Sequence, residues 1–344
     1  MRSSPIVSGL GRGAALRTRL RMKRPVAALA LTTTLLAAAP PLAADTVEQW
    51  LQRMSSAVEK YNYRGTVARR FEKRTEYMQV VHRYADGQIS ERIETLDGAD
   101  RTLIRDKNGI RCVLPDSKAV LYQDSSAVSG FVGRMPMSID RLLGHYDVVF
   151  VRSGERVADR TTVQLAIRPR DEWRYGHRIW LERPSGLTLK SELLDVFGRV
   201  IEETRFVNLS IEETIPDNEF EFDINVSGFR QIGYTSNQPA ADVTVDSTRF
   251  AAELPAGFVM THRSQSDDGV IHLKFDDGMA SVSAFVEPIA VERKVMAGAS
   301  RLGGTHTYSL SANGRQVTAV GEVPLETVRR VAESIAKLDF AAAQ

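Results

Sequence analysis

The chain has 344 residues, a formal net charge of +2, six histidines and a single cysteine, Cys112. One cysteine excludes an intrachain disulfide framework, and the length exceeds what one hydrophobic core usually takes, which predicts two domains. The positive charge sits at the start: residues 1–44 hold seven basic and no acidic residues, so without them +2 becomes −5, and a mildly acidic chain lacks the clustered positive charge that nucleic-acid binding needs.

Residues 1–44 read as a secretory leader. Arg2, Arg12, Arg17, Arg19, Arg21, Lys23 and Arg24 precede an acid-free apolar run, Val26–Ala39, and then "PPLAAD". "MKRPVAAL" from Met22 makes a charged n-region by itself, so residues 1–21 read as an upstream start. The run is too short to predict a membrane span. The expectation is export, with the mature chain released as a soluble protein.

After the leader, Val47, Leu51, Met54 and Val58 are spaced for one face of a helix, with Asp45 placed to cap it. From Tyr61 the text changes to short alternating segments, predicting strands at 63–71, 77–84, 88–96, 101–106, 110–114, 118–123, 147–157, 162–168, 177–183, 187–195 and 199–209. Turn formers separate them, among them "ADG" (85–87), "DKNG" (106–109) and "DVFG" (195–198). "MSIDRLLGHY" interrupts the strands with a short helix that Ser138 caps and Gly144 ends. Eleven hairpin-joined strands predict a strongly curved antiparallel sheet.

Residues 227–246 carry few large aliphatics and several turn formers, and read as a linker between an N-terminal domain, 45–226, and a C-terminal domain, 247–344. The latter predicts strands at 258–264, 270–275 and 279–287, a hairpin through "ANGR" with Asn313-Gly314 in its turn, and a helix from Pro324 to about Lys337. The whole reads as mainly β, with a smaller α+β domain at the C-terminus.

Chemistry is hard to find. His82, His145, His177, His262, His272 and His306 lack zinc-protease spacing, although His262 and His272 fall on neighbouring predicted strands. There is no Gly-x-Ser-x-Gly elbow, and the glycines between 298 and 304 lack the lysine-serine pair of a phosphate loop. Carboxylate pairs such as Asp267/Asp268, Asp276/Asp277, Glu202/Glu203 and Glu212/Glu213 are sequence neighbours, which point apart on a strand or are solvated in a turn. Cys112, in "GIRCVLP", reads as a small buried strand residue. No catalytic residue, metal site or cofactor is predicted, and a binding protein is expected in place of an enzyme.

The stretch "ERVADRTTVQLAIRPRDEWRYGHRIWLERPSGLTLKSELLDVFGRVIEETRF" (155–206), with "IDRLLGHYDVVFVRSG" before it and "LPAGF" and "VTAVGEVPLETVRRVAESI" after the linker, resembles the RseB/MucB family of sigma-E regulatory proteins. The resemblance implies a periplasmic envelope-stress regulator that binds the periplasmic part of an RseA/MucA-type anti-sigma factor and shields it from regulated proteolysis until a lipid or lipopolysaccharide signal releases it. It also implies a LolA/LolB-like N-terminal domain, an open antiparallel β-barrel with a helical lid, and an anti-sigma contact in the C-terminal domain. A periplasmic lipid or lipoprotein carrier is the alternative from the same fold.

Candidate surfaces follow by type. Ile179, Leu181, Leu187, Leu189 and Leu193 fall in one register of the 178–195 hairpin, which makes either ordinary core or an acyl-chain lining. Trp180 falls in the polar register and reads as an exposed partner anchor. Arg329 and Arg330, on the polar side of the last helix, are either solvated charges or candidates to meet acidic residues of a partner. A homo-oligomer remains open at this level.

Overall fold

The computed structural model describes residues 45–123, 139–233, 254–266, 269–289 and 297–338. The leader, Ser138 and most of the predicted linker lie outside the described residues.

The chain opens with helix α1 (Val47–Ala57), which turns Trp50, Leu51, Met54 and Ala57 inward. The predicted cap is shifted by one residue: Thr46, not Asp45, is the N-cap, because only Thr46 can close a capping box with Gln49. The Thr46 hydroxyl accepts from the Gln49 amide at 3.2 Å, and the Thr46 amide donates to Gln49 Oε1 at 2.8 Å. Asp45 instead pairs with Arg53 at 3.1 Å.

Eleven strands then follow nearly as the alternation predicts. β1 (Asn62–Phe71), β2 (Arg74–Ala85), β3 (Gln88–Thr95), β4 (Thr102–Asp106), β5 (Gly109–Leu114) and β6 (Ala119–Gln123) precede a short helix, α2 (Ile139–His145). β7 (Tyr146–Val157), β8 (Arg160–Pro169), β9 (Gly176–Glu182), β10 (Thr188–Leu194) and β11 (Val200–Glu212) complete the run. Gly144 lies inside α2 and does not end it.

A twelfth strand, β12 (Arg230–Gly233), falls in the stretch read as linker and pairs parallel with β6. Its four residues carry no alternation long enough to read. The sheet order is β12-β6-β5-β4-β3-β2-β1-β11-β10-β9-β8-β7, so β12 and β7 stand at opposite edges and the sheet is open. It curls strongly: Arg160 on β8 donates to the Leu209 carbonyl on β11 at 3.3 Å, across two intervening strands.

Both faces of this sheet are used. On one, α1 and α2 cover Val163, Leu165, Ile167, Ile179 and Leu181. On another part, the segment after β11 crosses the sheet as a strap: Ile215 and Phe220 pack on Val81 and Ile104, while Arg83 and Arg92 donate to the carbonyls of Ile215 and Glu221 at 3.0 and 3.2 Å.

The second sheet holds β13 (Val259–Gln265), β14 (Ile271–Asp276), β15 (Ser281–Pro288), β16 (Gly298–Leu302), β17 (Thr305–Ala312) and β18 (Arg315–Gly321), in the order β13-β14-β15-β18-β17-β16. β16 was not legible, since all five of its residues are exposed and show no alternation. Asn313 and Gly314, at φ +51° and +72°, make the β17–β18 turn as their sequence predicts. Helix α3 (Leu325–Ala336), with Pro324 as N-cap, lays Val328, Val331, Ala332 and Ile335 on Leu273, Phe275, Val282, Ala284, Val317 and Ala319. Each such aliphatic side chain contributes roughly 1.5–3 kcal/mol when fully buried, so this face alone makes the sheet and helix one core.

Candidate functional site

The hairpin β9–β10 shows how far counting by twos reaches. β9 and β10 pair Ile179 with Ser191, Leu181 with Thr188 and Leu193 with His177, but a β-bulge between Thr188 and Lys190 shifts the register. The five predicted lining residues therefore divide. Ile179 and Leu181 join the core under α1 and α2, and Leu187 and Leu189 join a second cluster with Tyr63, Val67 and Phe206. Leu193 faces the turn of the second sheet, where a Cβ on Gly304 would run into its Cδ2. All five are buried.

Trp180 corrects the expectation of an exposed anchor. It is 2% exposed; its indole donates to Glu155 Oε2 at 2.9 Å, and the Lys190 ammonium lies 4.3 Å from its ring. Lys190 also pairs with Glu192 and Glu203 at 2.8 and 3.0 Å. The polar register is thus a ladder of mutually paired charges, and the curl folds the tryptophan into it.

Among the described residues, the face beneath α1 holds no open hollow. A crevice of about 250 Å³ lies between α1 and the sheet, lined by Met54, Ala57, Val58, Tyr63, Leu187, Thr188, Phe206 and Leu209, and it is too narrow for a water molecule to enter. Of the predicted lining residues, only Leu187 reaches it.

The residues that carry most geometry were not singled out by sequence. The β8–β9 connection, 170–175, meets the β14–β15 turn of the second sheet and makes a joint between the two sheets. Arg174 Nη1 lies 2.7 Å from Asp277 Oδ2 with neither side chain exposed, and Tyr146 donates to the same oxygen at 2.9 Å. Asp277 Oδ1 accepts from the amides of Met279 and Ala280 at 2.8 and 2.7 Å, so one carboxylate both shapes its own turn and crosses the joint. Arg174 also donates to the Ala256 carbonyl and, at 3.0 Å, to Asp171. Every strong donor on this buried guanidinium is matched, as burial of a charge requires.

Around this pair the contacts are dense. Arg141 donates to the Asp276 carbonyl at 2.9 Å, Thr327 to the Trp173 carbonyl at 2.6 Å, and Tyr175 meets His306 Nδ1 at 3.2 Å. Met279 packs into the cluster of Trp50, Leu51, Leu142 and Tyr146. Burial pushes the Tyr175 hydroxyl up to about 12 and raises Tyr146 as well, where Asp277 adds to the effect, so both phenols stay neutral hydrogen-bonding groups. The signal that marks the joint is a Trp, an Arg and a Tyr in six loop residues, large side chains that a solvated loop does not need.

Arg330, expected to meet a partner, lies 5.6 Å from the Trp173 ring and belongs to the margin of this joint. Arg329 pairs with Glu326 and Glu333 of its own helix. Two neighbouring arginines of β1 are also paired, Arg69 with Glu202 at 2.6 Å and Arg70 with Glu203 at 3.4 Å.

Other candidate chemistry is thin. His262 and His272 do approach, with ring centroids 5.6 Å apart, but among the described residues no three His, Cys, Asp or Glu side chains converge as metal ligands. Cys112 is half-buried, and burial raises its thiol above the usual range, which lowers its reactivity. Among the described residues, no helix is long and apolar enough to cross a membrane.

Chains similar to this one are already known. The sigma factor AlgU regulatory protein MucB of Pseudomonas aeruginosa is 32% identical to this chain, over 91% of this chain and 97% of that protein. The sigma-E factor regulatory protein RseB of Haemophilus influenzae is 23% identical over 92% and 98%. Among solved structures, the Pseudomonas aeruginosa MucA/MucB complex matches with a TM-score of 0.62 at 28% identity, covering 83% of this chain and 96% of that one. MucB in complex with MucA(peri) matches with a TM-score of 0.60 at 29% identity, covering 83% and 97%. The MucB/RseB N-terminal domain family matches residues 46–224 and the MucB/RseB C-terminal domain family residues 244–336, one on each side of the segment between the sheets, and so this chain belongs to the MucB/RseB family.

Proposed function

We propose that this chain is a periplasmic negative regulator of a sigma-E-type envelope stress response, acting by binding the periplasmic part of a MucA/RseA-type anti-sigma factor and shielding it from proteolysis. The observation that carries the reading is the likeness to MucB along almost the whole of both chains, together with the match to MucB seated on MucA(peri) across 83% of this chain. Binding, and no covalent chemistry, is its work, a reading supported by the match to a family of regulatory proteins along both domains. The two domains are 45–226 and 247–344, and the joint at Arg174 and Asp277 sets how they present a shared surface.

Release by a lipid belongs to the same proposal and is supported by the apolar face under α1. Each buried methylene contributes ~0.8 kcal/mol, so one acyl chain replacing α1 there has useful affinity. A ligand loosens the partner only if it prefers the partner-free shape, and a ~100-fold effect needs a difference of about 2.7 kcal/mol. The lining expected at Ile179, Leu181, Leu187, Leu189 and Leu193 narrows to Leu187 with Tyr63, Phe206 and Leu209. A pure lipid carrier is the weaker reading, because it has no use for a second sheet locked to the first.

The test is affinity capture and calorimetry of residues 45–344 with the periplasmic segment of the cognate anti-sigma factor. Saturable one-to-one binding at micromolar concentration is expected. Absence of binding at that concentration overturns the reading, and lipid transfer between vesicles that survives deletion of residues 247–344 establishes the carrier instead.

A further inference from the structure

Under the C-terminal end of α1 a histidine is held between two acceptors. His82 on β2 is completely buried; its Nε2 lies 2.8 Å from the carbonyl oxygen of Val58, the residue that caps α1, and its Nδ1 lies 3.0 Å from Glu91 Oε1 on β3. A carbonyl accepts only, so Nε2 carries a proton. Glu91 is a carboxylate: its other oxygen takes a hydrogen bond from Arg105 on β4 at 3.2 Å, and although burial opposes ionisation, the His82 and Arg105 contacts together hold its carboxyl below the usual range. Nδ1 therefore also faces an acceptor, and the ring satisfies both partners only as the doubly protonated imidazolium.

The surroundings suit that cation. Val58 O is one of the carbonyls that the end of a helix leaves unpaired, where the helix dipole favours positive charge. The Tyr63 ring stacks on the imidazole, with centroids 4.6 Å apart and planes 9° apart, and its own hydroxyl stays neutral because burial first, and Glu91 second, raise it. Glu91, Arg105, Tyr63 and the end of α1 are thus the groups that face His82 from β3, β4, β1 and the helix.

We propose that His82 is a proton-dependent catch that fastens the C-terminal end of α1 to the large sheet. A ring that has lost one proton serves one acceptor only: if it keeps Nε2–H on Val58, its Nδ1 lone pair opposes the Glu91 carboxylate; if it keeps Nδ1–H, the Val58 carbonyl loses its donor. In either case α1 is held less firmly, and lifting its end uncovers Tyr63, Leu187 and Phe206, the floor of the crevice. The catch makes docking of α1 responsive to the pH of an exposed compartment, and it does not depend on the anti-sigma reading.

Amide hydrogen exchange on residues 45–344 tests it, corrected for the intrinsic pH dependence of exchange and read at α1 (47–58) against β8 and β9 (160–169 and 176–182). In the wild type, protection of α1 is expected to fall as pH is raised, by on the order of 10- to 100-fold, the factor carried by one charge-assisted hydrogen bond, while β8 and β9 hold theirs. His82→Gln keeps a donor without a titrating proton and is expected to abolish the pH dependence. Wild-type protection of α1 that is flat with pH overturns the proposal, as does loss of protection at α1, β8 and β9 together, which makes His82 an ordinary core residue. Partner binding is measured separately, so a failure of the catch and a failure of the proposed function are told apart.

Discussion

Arg174 and Asp277 lie 103 residues apart in the chain and form a 2.7 Å ion pair from which solvent is wholly excluded. Removing one member of such a pair strands the other charge, which costs about 3–5 kcal/mol, whereas replacing both with groups of similar shape is close to neutral. Arg174→Met is therefore expected to split the urea unfolding of residues 45–344 into two transitions, with the second sheet detaching first. The double variant Arg174→Met/Asp277→Asn is expected to restore most of the lost stability, because the side-chain oxygen of the introduced asparagine still accepts from the Met279 and Ala280 amides. Equal damage from the single and double variants counts against a latch.

Trp180 separates a packing role from a docking role. With Trp180 2% exposed, Trp180→Ala removes a large buried side chain and one of the two donors to Glu155 Oε2, the other being Arg152 at 3.1 Å, for an expected loss of about 3–5 kcal/mol in chemical denaturation. An anchor that meets a partner from the surface gives the opposite result: unchanged stability and weakened affinity. Arg329→Ala, by contrast, breaks only exposed pairs with Glu326 and Glu333, and its stability is expected to move by less than about 1 kcal/mol. Any loss of affinity for the anti-sigma segment in that variant reads as direct contact.

These outcomes bear on what the sequence could and could not convey. β1 to β11 are legible within about three residues at either end because alternation with turn formers is a local signal, and α3 is legible because its stripe of Val328, Ala332 and Ile335 repeats at helical spacing. β12 and β16 are not, since four or five residues are too few to carry a pattern and depend on the edge they join. The bulge at Leu189 defeated register counting, because one inserted residue reverses every face beyond it. The joint was hidden for a different reason: Tyr146, Arg174 and Asp277 come from three separated segments, and only the fold brings them together.

Gly257 gives a steric test of the same joint. It sits at φ +88°, where a side chain is strained, and a Cβ added there would run into His145 Nε2 at the end of α2. Its carbonyl also accepts from Arg141 at 3.3 Å. Gly257→Ala is expected to cost about 2 kcal/mol or more and to lower the thermal midpoint, combining backbone strain with a clash that must push the second sheet from α2. Gly314→Ala makes the control: the φ is similar, at +72°, but nothing lies within 4 Å of the added carbon, so strain acts alone and the loss is smaller.

A last test concerns acid. His272 on β14 is 7% exposed, stacks on Phe285 at 4.5 Å and meets Ser283 Oγ at 3.1 Å; burial, with help from His262 and Lys274, pushes it down from 6.5 to about 4. The folded chain thus keeps this ring neutral where the unfolded chain protonates it. Between about pH 6.5 and pH 4 the unfolded state binds the extra proton, so stability rises with pH in that window and is lost as pH falls through it, by at most about 1.4 kcal/mol per pH unit for this one group. Denaturation series at pH 7, 6, 5 and 4.5, conditions chosen to span about two units of that window, are expected to show the decline in the wild type and a shallower one in His272→Gln, which cannot take up the proton. Parallel slopes in the two proteins would take the acid sensitivity away from His272 and turn attention to His177, whose ring burial likewise pushes down to about 4.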